Sequence, residues 1–559
     1  MNSNSLLVYT YPTIFDSHRE EGIACFRHTN RVRNGFFGRD WATMKKLDKL
    51  IVTCRSALRA KYGNGARSVD AAITRLIAAD KKRGLRSIRV DLDVLIPALK
   101  SPDMASATRQ HLTKDAIDKA CARYTPDYLL IVGASDVVVM QELTNPMNSD
   151  ADPANDDEDQ VVPSDLPYAC EEPYSTDPAT FLGPVRVVGR LPDMVGANTA
   201  EYVVDLLAKA CAWKTRPRTD YQTYFGLTAE VWRKSTDLSI ENLFTDASKM
   251  KQSPPSGPDW SAAALAPRFH FINCHGDDRT PKYFGQKGNS YPTSHYSPKL
   301  KSKIQQGTVV AAECCYGAQL YDPATPQHPR DVNIPGIGVT YLSEGAYGVF
   351  GSTTIAYGPS EGNGQADYIC QYFIRAVRDG ASLGRAALEA RHRYASQWSH
   401  LDPSDLKTLA QFYLLGDPSI QPVQAPTHAL ARSRVFKRVF RGRGQSTGSR
   451  AFRREQAARA GKNLSHTLGA VESIQPRVPL DVKRVLAAAA KESGLKTWTI
   501  SAYRVMRNSA RTGKEIPDRR IYALTGSVGG TFSEGGRIIS IIATTEAGKI
   551  VHLRRIHSH

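Results

Sequence analysis

The sequence has no run of 18 or more apolar residues, the length that a membrane-spanning helix needs. Its opening, MNSNSLLVYTYPTIFD, has neither a basic leader nor the long apolar stretch of a secretory signal. Cysteine is scarce and irregular. The nine cysteines fall at 25, 54, 121, 170, 211, 274, 314, 315 and 370, an odd number with none beyond 370, which argues against a disulfide framework. Reduced thiols and a cytoplasmic protein with no membrane span are the expectation. No paired C-x-x-C elements occur, and there is no RNP, zinc-finger or helix-turn-helix signature.

What is present points to more than one core. A chain of 559 residues exceeds the size at which single hydrophobic cores stop growing, so two or three domains are expected. The net charge of +18 is unevenly spread. Residues 429–559 carry 26 Lys and Arg against 8 Asp and Glu, whereas the preceding residues hold 47 of each. A positive field so localised suits nucleic acid or another polyanion, because clustered cations release counterions on binding; a solvated basic face is the plainer reading.

Residues 1–44 carry one short apolar run and have no assigned role. From 45 to 125, SVDAAITRLIAADKKRG reads as an amphipathic helix closed by glycine, and SIRVDLDVLI alternates as a strand. Continuous apolar runs follow: DYLLIVGASD (127–136), VRVVGRLP (185–192), TYFGLTAE (223–230), RFHFINCHG (268–276), GTVVAAECC (307–315) and GAYGVFGSTT (345–354). Such runs, separated by helical stretches, predict an α/β fold with a mostly parallel sheet flanked by helices. In such sheets reactive groups gather at the carboxyl ends of strands. Glu230, His275 and Cys315 each end one run.

An acidic stretch, NSDADPANDDEDQ (148–160), interrupts this region. Clustered carboxylates suit a structural calcium, but the ordered spacing of an EF-hand is missing, so we read a solvated loop. Between 432 and 462 there are 11 basic residues and one acid, Glu455, among Gly, Ser and Gln, which reads as a linker or flexible basic arm. The end of the chain reads as one helix and several strands, a small α+β domain. The expected divisions are an N-terminal α/β subdomain (1–125), the main α/β domain (126–425), a basic linker (426–465) and a small basic domain (466–559).

Chemistry concentrates at two strand ends. A cysteine peptidase needs a thiolate, a base to generate it and to protonate the leaving amine, and donors for the oxyanion. His275-Gly276 and Cys314-Cys315 supply these parts, with Gly276 N–H and Cys315 N–H as oxyanion donors. A rival zinc set (His270, Cys274, His275, Cys314, Cys315) is disfavoured because adjacent strand residues point to opposite faces.

HFINCHGDD, VVAAECCYGAQLYD, GAYGVFGSTTIAYG and LAQFYLLGDPSI, in that order, closely resemble the gingipain-like cysteine peptidases of family C25. YLLIVGASDVVV, SDLPYA and VVGRLP extend the likeness over roughly residues 45–425. The resemblance implies a caspase-like core and a cysteine endopeptidase acting on protein or peptide substrates without a required cofactor. It makes Cys315 the nucleophile, judged from the YGAQL that follows, and His275 its base. It also places Glu230 behind the histidine, although a surface carboxylate at a helix start reads as well. Asp237 takes the position of a carboxylate selecting a basic P1 residue, but the spacing differs and a capping role competes. A basic preference would make the arm KRVFRGRGQSTGSRAFRR a self-cleavage site. The caspase signature Q-A-C-x-G is absent, since the chain reads E-C-C-Y-G. The alternative function is a non-catalytic protein on a protease scaffold whose basic module binds nucleic acid.

Overall fold

The computed structural model describes residues 47–148, 157–398, 400–425, 450–468, 470–506, 518–529 and 536–558. The N-terminal run, most of the acidic loop and residues 426–449 of the basic arm therefore lie outside the described residues. Among the described residues no helix is long and apolar enough to cross a membrane.

Besides the short hairpin of Gln141–Thr144 with Val161–Ser164, the strands in chain order are β1 (Lys49–Thr53), β2 (Ser87–Asp91), β3 (Tyr128–Val132), β4 (Val188–Leu191), β5 (Tyr224–Ala229), β6 (Lys251–Ser253), β7 (Phe269–Asn273), β8 (Lys282–Phe284), β9 (Thr293–Tyr296), β10 (Val309–Ala312), β11 (Gly348–Gly351), β12 (Tyr357–Gly358) and β13 (Tyr413–Leu415). Ten of them form one sheet in the order β2-β1-β3-β4-β13-β11-β10-β7-β5-β6. Its pairs are mostly parallel, and β13 runs antiparallel to β11. The α/β architecture expected from the apolar runs is present. The boundary expected at 125/126 has no counterpart in the sheet, because β1 pairs with both β2 and β3.

Both faces of this sheet are covered, which is why its strands read as unbroken apolar runs. One face, with Ile272, Val310 and Val349, packs under the helices Ala66–Lys82, Glu201–Ala212 and Ile337–Ser343. The other, with Phe269, Phe271, Val309, Ala311 and Phe350, packs under Arg233–Phe244, Gln365–Arg378 and Leu383–Ser396.

Several of the sequence motifs are buried ion pairs. Arg190 of VVGRLP makes a two-pronged contact with Asp165 of SDLPYA, Nη2–Oδ1 2.6 Å and Nε–Oδ2 2.9 Å, and donates to the carbonyls of Gly133 and Val138 in the YLLIVGASDVVV segment. Asp417 of LLGDPSI meets Lys49 at the start of β1 (2.7 Å), with Asp80 on the same ammonium (2.6 Å). A buried charge left alone is heavily penalised, so each pair fixes which segments lie side by side.

Beyond the basic arm, Arg450–Thr467 is a helix in a stretch expected to be linker. Ala457 and Leu464 are buried, and Gly461 lies so close to Gly183 and Val185 that no side chain fits there. The C-terminal module follows: β14 (Ala470–Ile474), the helix Leu480–Glu492, β15 (Thr499–Met506), β16 (Arg519–Val528), β17 (Arg537–Glu546) and β18 (Lys549–Ser558). Its antiparallel sheet has the order β12-β18-β17-β16-β15-β14, so it takes in one short strand of the main domain.

Candidate active site

Two strand tips meet at Gly276 and Cys315. A β-carbon built on Gly276 would lie 1.7 Å from the Cys315 carbonyl oxygen and 3.2 Å from its nitrogen, so only glycine permits this approach. The register of β10 on β7 pairs Val309 with Phe269 and Ala311 with Phe271. Beyond the last pair, Ala312 with Ile272, Glu313 lies against Asn273, and Cys315 falls in the turn that follows the strand. The alternation also separates the two cysteines: Cys314 shares the core of Ile272 and Cys274, and Cys315 shares that of Phe271 and Ala311. The rival zinc set is thereby split between two faces. Among the described residues no group of His, Cys, Asp and Glu is arranged to hold a metal.

The chain turns sharply after Cys315. Tyr316 has φ 52°, a costly left-handed conformation for a residue of its size, and is held by its N–H to Thr354 O at 2.9 Å. Ser352 of the GSTT segment donates to Cys314 O (2.8 Å), and Ala318 N–H returns to Ser352 O (2.8 Å). Among the described residues neither the Gly276 N–H nor the Cys315 N–H enters a backbone–backbone hydrogen bond. The Cys315 sulfur accepts from Ala356 N–H (3.3 Å) and is fully enclosed. Burial pushes its thiol well up, and the Ala356 N–H and Lys407 pull the other way.

His275 is nearly enclosed, 6% exposed, with Trp232 4.4 Å from its ring and Tyr291 4.9 Å away edge-on. Its Nε2 meets Gln286 Oε1 at 2.9 Å, and Gln286 is fixed by donating to Gly288 O (2.9 Å). An amide oxygen opposite Nε2 selects the tautomer with its proton there. Burial pushes the imidazole down to about 3, against the Gln286 contact and helped by Arg537 of the C-terminal module.

Glu230 is exposed at the start of a short 3-10 turn, Glu230–Trp232, and none of the described hydrogen bonds joins it to His275. The residue of that turn that touches the imidazole is Trp232. Asp237 pairs with Arg233 one helical turn away, Nε–Oδ2 2.7 Å. The structure thus sets the Cys315 peptide against Gly276, the chain neighbour of His275, and leaves Glu230 and Asp237 outside that contact.

Sequence reasoning missed Gln286, although it lies in a glycine-bounded turn between β8 and β9 just after the His-Gly pair. It also missed Glu313, a charge inside the apolar run VVAAECC. Glu313 is fully enclosed and lies against Asn273 and Asp367 without a well-aligned hydrogen bond; burial, then Asp367, pushes its carboxyl well up. Asp367, itself pushed up to about 6 by burial, accepts from Ser235 and Gly364 N–H. Glu313, beside Asn273 and Asp367, and Asp367, held by Ser235, tie the ends of β7 and β10 to helices 233–244 and 365–378.

The inner end of the acidic loop is committed elsewhere. Asp157 accepts from Tyr357 OH (2.7 Å), and Asp159 from Tyr316 OH (2.8 Å) and Ile355 N–H (2.9 Å). The buried Lys407 ammonium bridges both carboxylates, filling the place a cation would take.

The model of peptidase family C25 matches residues 43–423, which takes in both strand tips and every motif above. The chain belongs to this family. It is therefore a cysteine-type peptidase, a hydrolase that acts on protein or peptide substrates. A solved structure described as "Structure of Protease" is similar over 91% of this C25 chain and 97% of its own, at 13% identity and a TM-score of 0.43. No curated protein matches the sequence.

Proposed function

We propose that this C25 peptidase is an endopeptidase working through Cys315 and His275. The reading is supported by one observation, the close approach of Gly276, which follows His275 in the chain, to the Cys315 peptide. His275 takes the Cys315 proton, and the thiolate attacks the scissile carbonyl. The C–S bond forms and the C–N bond breaks as the imidazolium gives its proton to the leaving amine. Water, deprotonated by the same imidazole, then displaces the sulfur and releases the acid. The free N–H groups of Gly276 and Cys315 suit the oxyanion. Gln286, rather than Glu230, holds the imidazole in one tautomer.

A basic P1 preference would rest on Asp237, whose Oδ2 faces Arg233 and whose Oδ1 is buried without a partner. Cleavage in the basic arm concerns residues that mostly lie outside those described, and a peptide library assayed beside intact-mass analysis tests both. Nucleic-acid binding draws no support from four of the module's described arginines: Arg519, Arg520, Arg554 and Arg555 face Glu546, Asp518, Asp402 with Asp405, and Glu492. The decisive experiment is labelling by an acyloxymethyl-ketone probe. Cys315→Ala should abolish it, and a label that survives in Cys315→Ala yet vanishes in Cys314→Ala would overturn the assignment.

A further inference from the structure

The Cys315 side chain lies in a core to which a part of the chain outside the C25 match contributes. β12 begins one residue after Ala356, whose N–H touches the sulfur, and its exposed edge is taken by the end of β18: Tyr357 pairs with Ser558 and Gly358 with His557. Extended peptides bind proteins by adding a strand to such an edge, so β18 occupies a place of the kind a substrate uses.

The module's own sheet explains why it stays there. Its helix covers one face only, meeting Tyr522, Leu524, Ile539, Ile541 and Ala543. The opposite side chains, Ile521, Ala523, Ile538, Ile542 and Ile556, are buried in the same core as Cys315 and Tyr357. A sheet with two apolar faces needs two covers, and the second is the peptidase domain. Arg554 adds a polar tie, reaching Asp402 and Asp405 (Nη2–Oδ2 2.8 Å to the latter) over the ring of Trp398. Tyr503 OH donates to Pro146 O at 3.3 Å. Arg537, at the start of β17, lies close enough to His275 for its charge to act on the ring.

We propose that the C-terminal module is an inhibitor built into the chain: its last strand fills the backbone edge beside Cys315 and its apolar face seals the strand tips, so the enzyme is latent until the module is displaced. The inference rests on Cys315 being the nucleophile, and its test separates the two ideas. In the full chain, Arg554→Glu breaks the polar tie, and the double change His557→Pro with Ser558→Pro breaks the strand pairing; the two act at separate contacts, so misfolding of one leaves the other informative. Two rates are read on each folded variant: alkylation of Cys315 by iodoacetamide, followed on the Cys315 peptide by mass spectrometry, and turnover of a peptide library. Both should rise at least tenfold over the unaltered chain. A rise in alkylation without turnover keeps the cover and removes the peptidase role of Cys315. Unaltered chain that alkylates and turns over as fast as the variants overturns the inhibitor while leaving the nucleophile intact. The inhibitor idea also falls if hydrogen exchange shows the Tyr357 and Gly358 amides opened in a variant but Cys315 stays unreactive.

Discussion

Cys314 and Cys315 are consecutive, equally enclosed and enclosed by different things. Cys314 lies among Cys274, Tyr283 and Tyr341, under helices of the peptidase domain, beside a histidine network in which Tyr341 OH meets His270 Nδ1 (2.8 Å) and His295 Nε2 (2.9 Å). Cys315 faces the other way, into a core completed by the C-terminal module. The first cover is continuous with the central fold and cannot leave without unfolding it. The second arrives from beyond the basic arm. Burial alone therefore does not separate an inert thiol from a nucleophile; what matters is whether the cover belongs to the same cooperative unit.

The sharpest way to break this comparison is to remove each sulfur in turn. In a variant that has lost the module's grip, Cys315→Ala should lower kcat/KM on the order of 10^4-fold or more, as expected for a nucleophile. Cys314→Ala should leave turnover within a few-fold and cost about 1 kcal/mol of stability, measured by urea unfolding, for the small void it leaves. Next in size is Gly276→Ala. Its β-carbon would meet backbone at 1.7 Å, so the strand tips must part; activity should fall roughly a hundredfold and stability by about 1–3 kcal/mol. Activity retained in that variant would mean the tips are not a working pair.

Gln286→Leu tests the base separately from the nucleophile. Loss of the 2.9 Å contact should reduce kcat/KM roughly tenfold to a hundredfold, a fraction of what proton transfer contributes. Gln286→Glu keeps an acceptor and adds a negative charge, so the lower limb of the pH–rate profile should move to higher pH. A profile unmoved by Gln286→Glu would show that His275 is not the titrating base.

The smallest effect lies on the Cys314 face. Burial pushes His295 down to about 3, so its neutral form contributes stability above pH 6.5 that is lost as pH falls toward 3. Enclosed carboxyls such as Asp367 and Asp405, pushed up to about 6 and about 7 by burial, act with the opposite sign: their contribution is complete below pH 4 and fades as pH rises through those values. The histidine part appears in the difference between unaltered chain and His295→Gln. That difference should move in favour of the variant as pH falls from 6.5 to 4, read from unfolding midpoints at each pH.

Much of this was legible in the residues. Apolar runs ending in Gly or charge located β3, β4, β5, β7 and β10, because strands covered on both faces cannot alternate. The two consecutive cysteines at the end of β10 point into different cores, Cys314 with Ile272 and Cys315 with Phe271. Sequence spacing was blind to the partner of that histidine. Glu230 ends a strand in the expected order, but the chain turns outward there and Trp232 swings in, while Gln286 comes from a hairpin whose tip folds back over the ring. Asp237 lies on a helix that offers an arginine four residues away as a partner, a pairing the sequence reading did not weigh.

The sequence by itself determined the layers of the main domain, the order of its motifs and the chemistry available at two strand ends, because these follow from local periodicity and residue type. Tertiary structure alone decided that Arg190 meets Asp165, that Gln286 meets His275 and that a module begun more than forty residues after the peptidase domain closes over Cys315. Those contacts join residues of different elements, which local periodicity does not bring together. Nothing in local pattern specifies which of two apolar faces will find its cover in a distant strand.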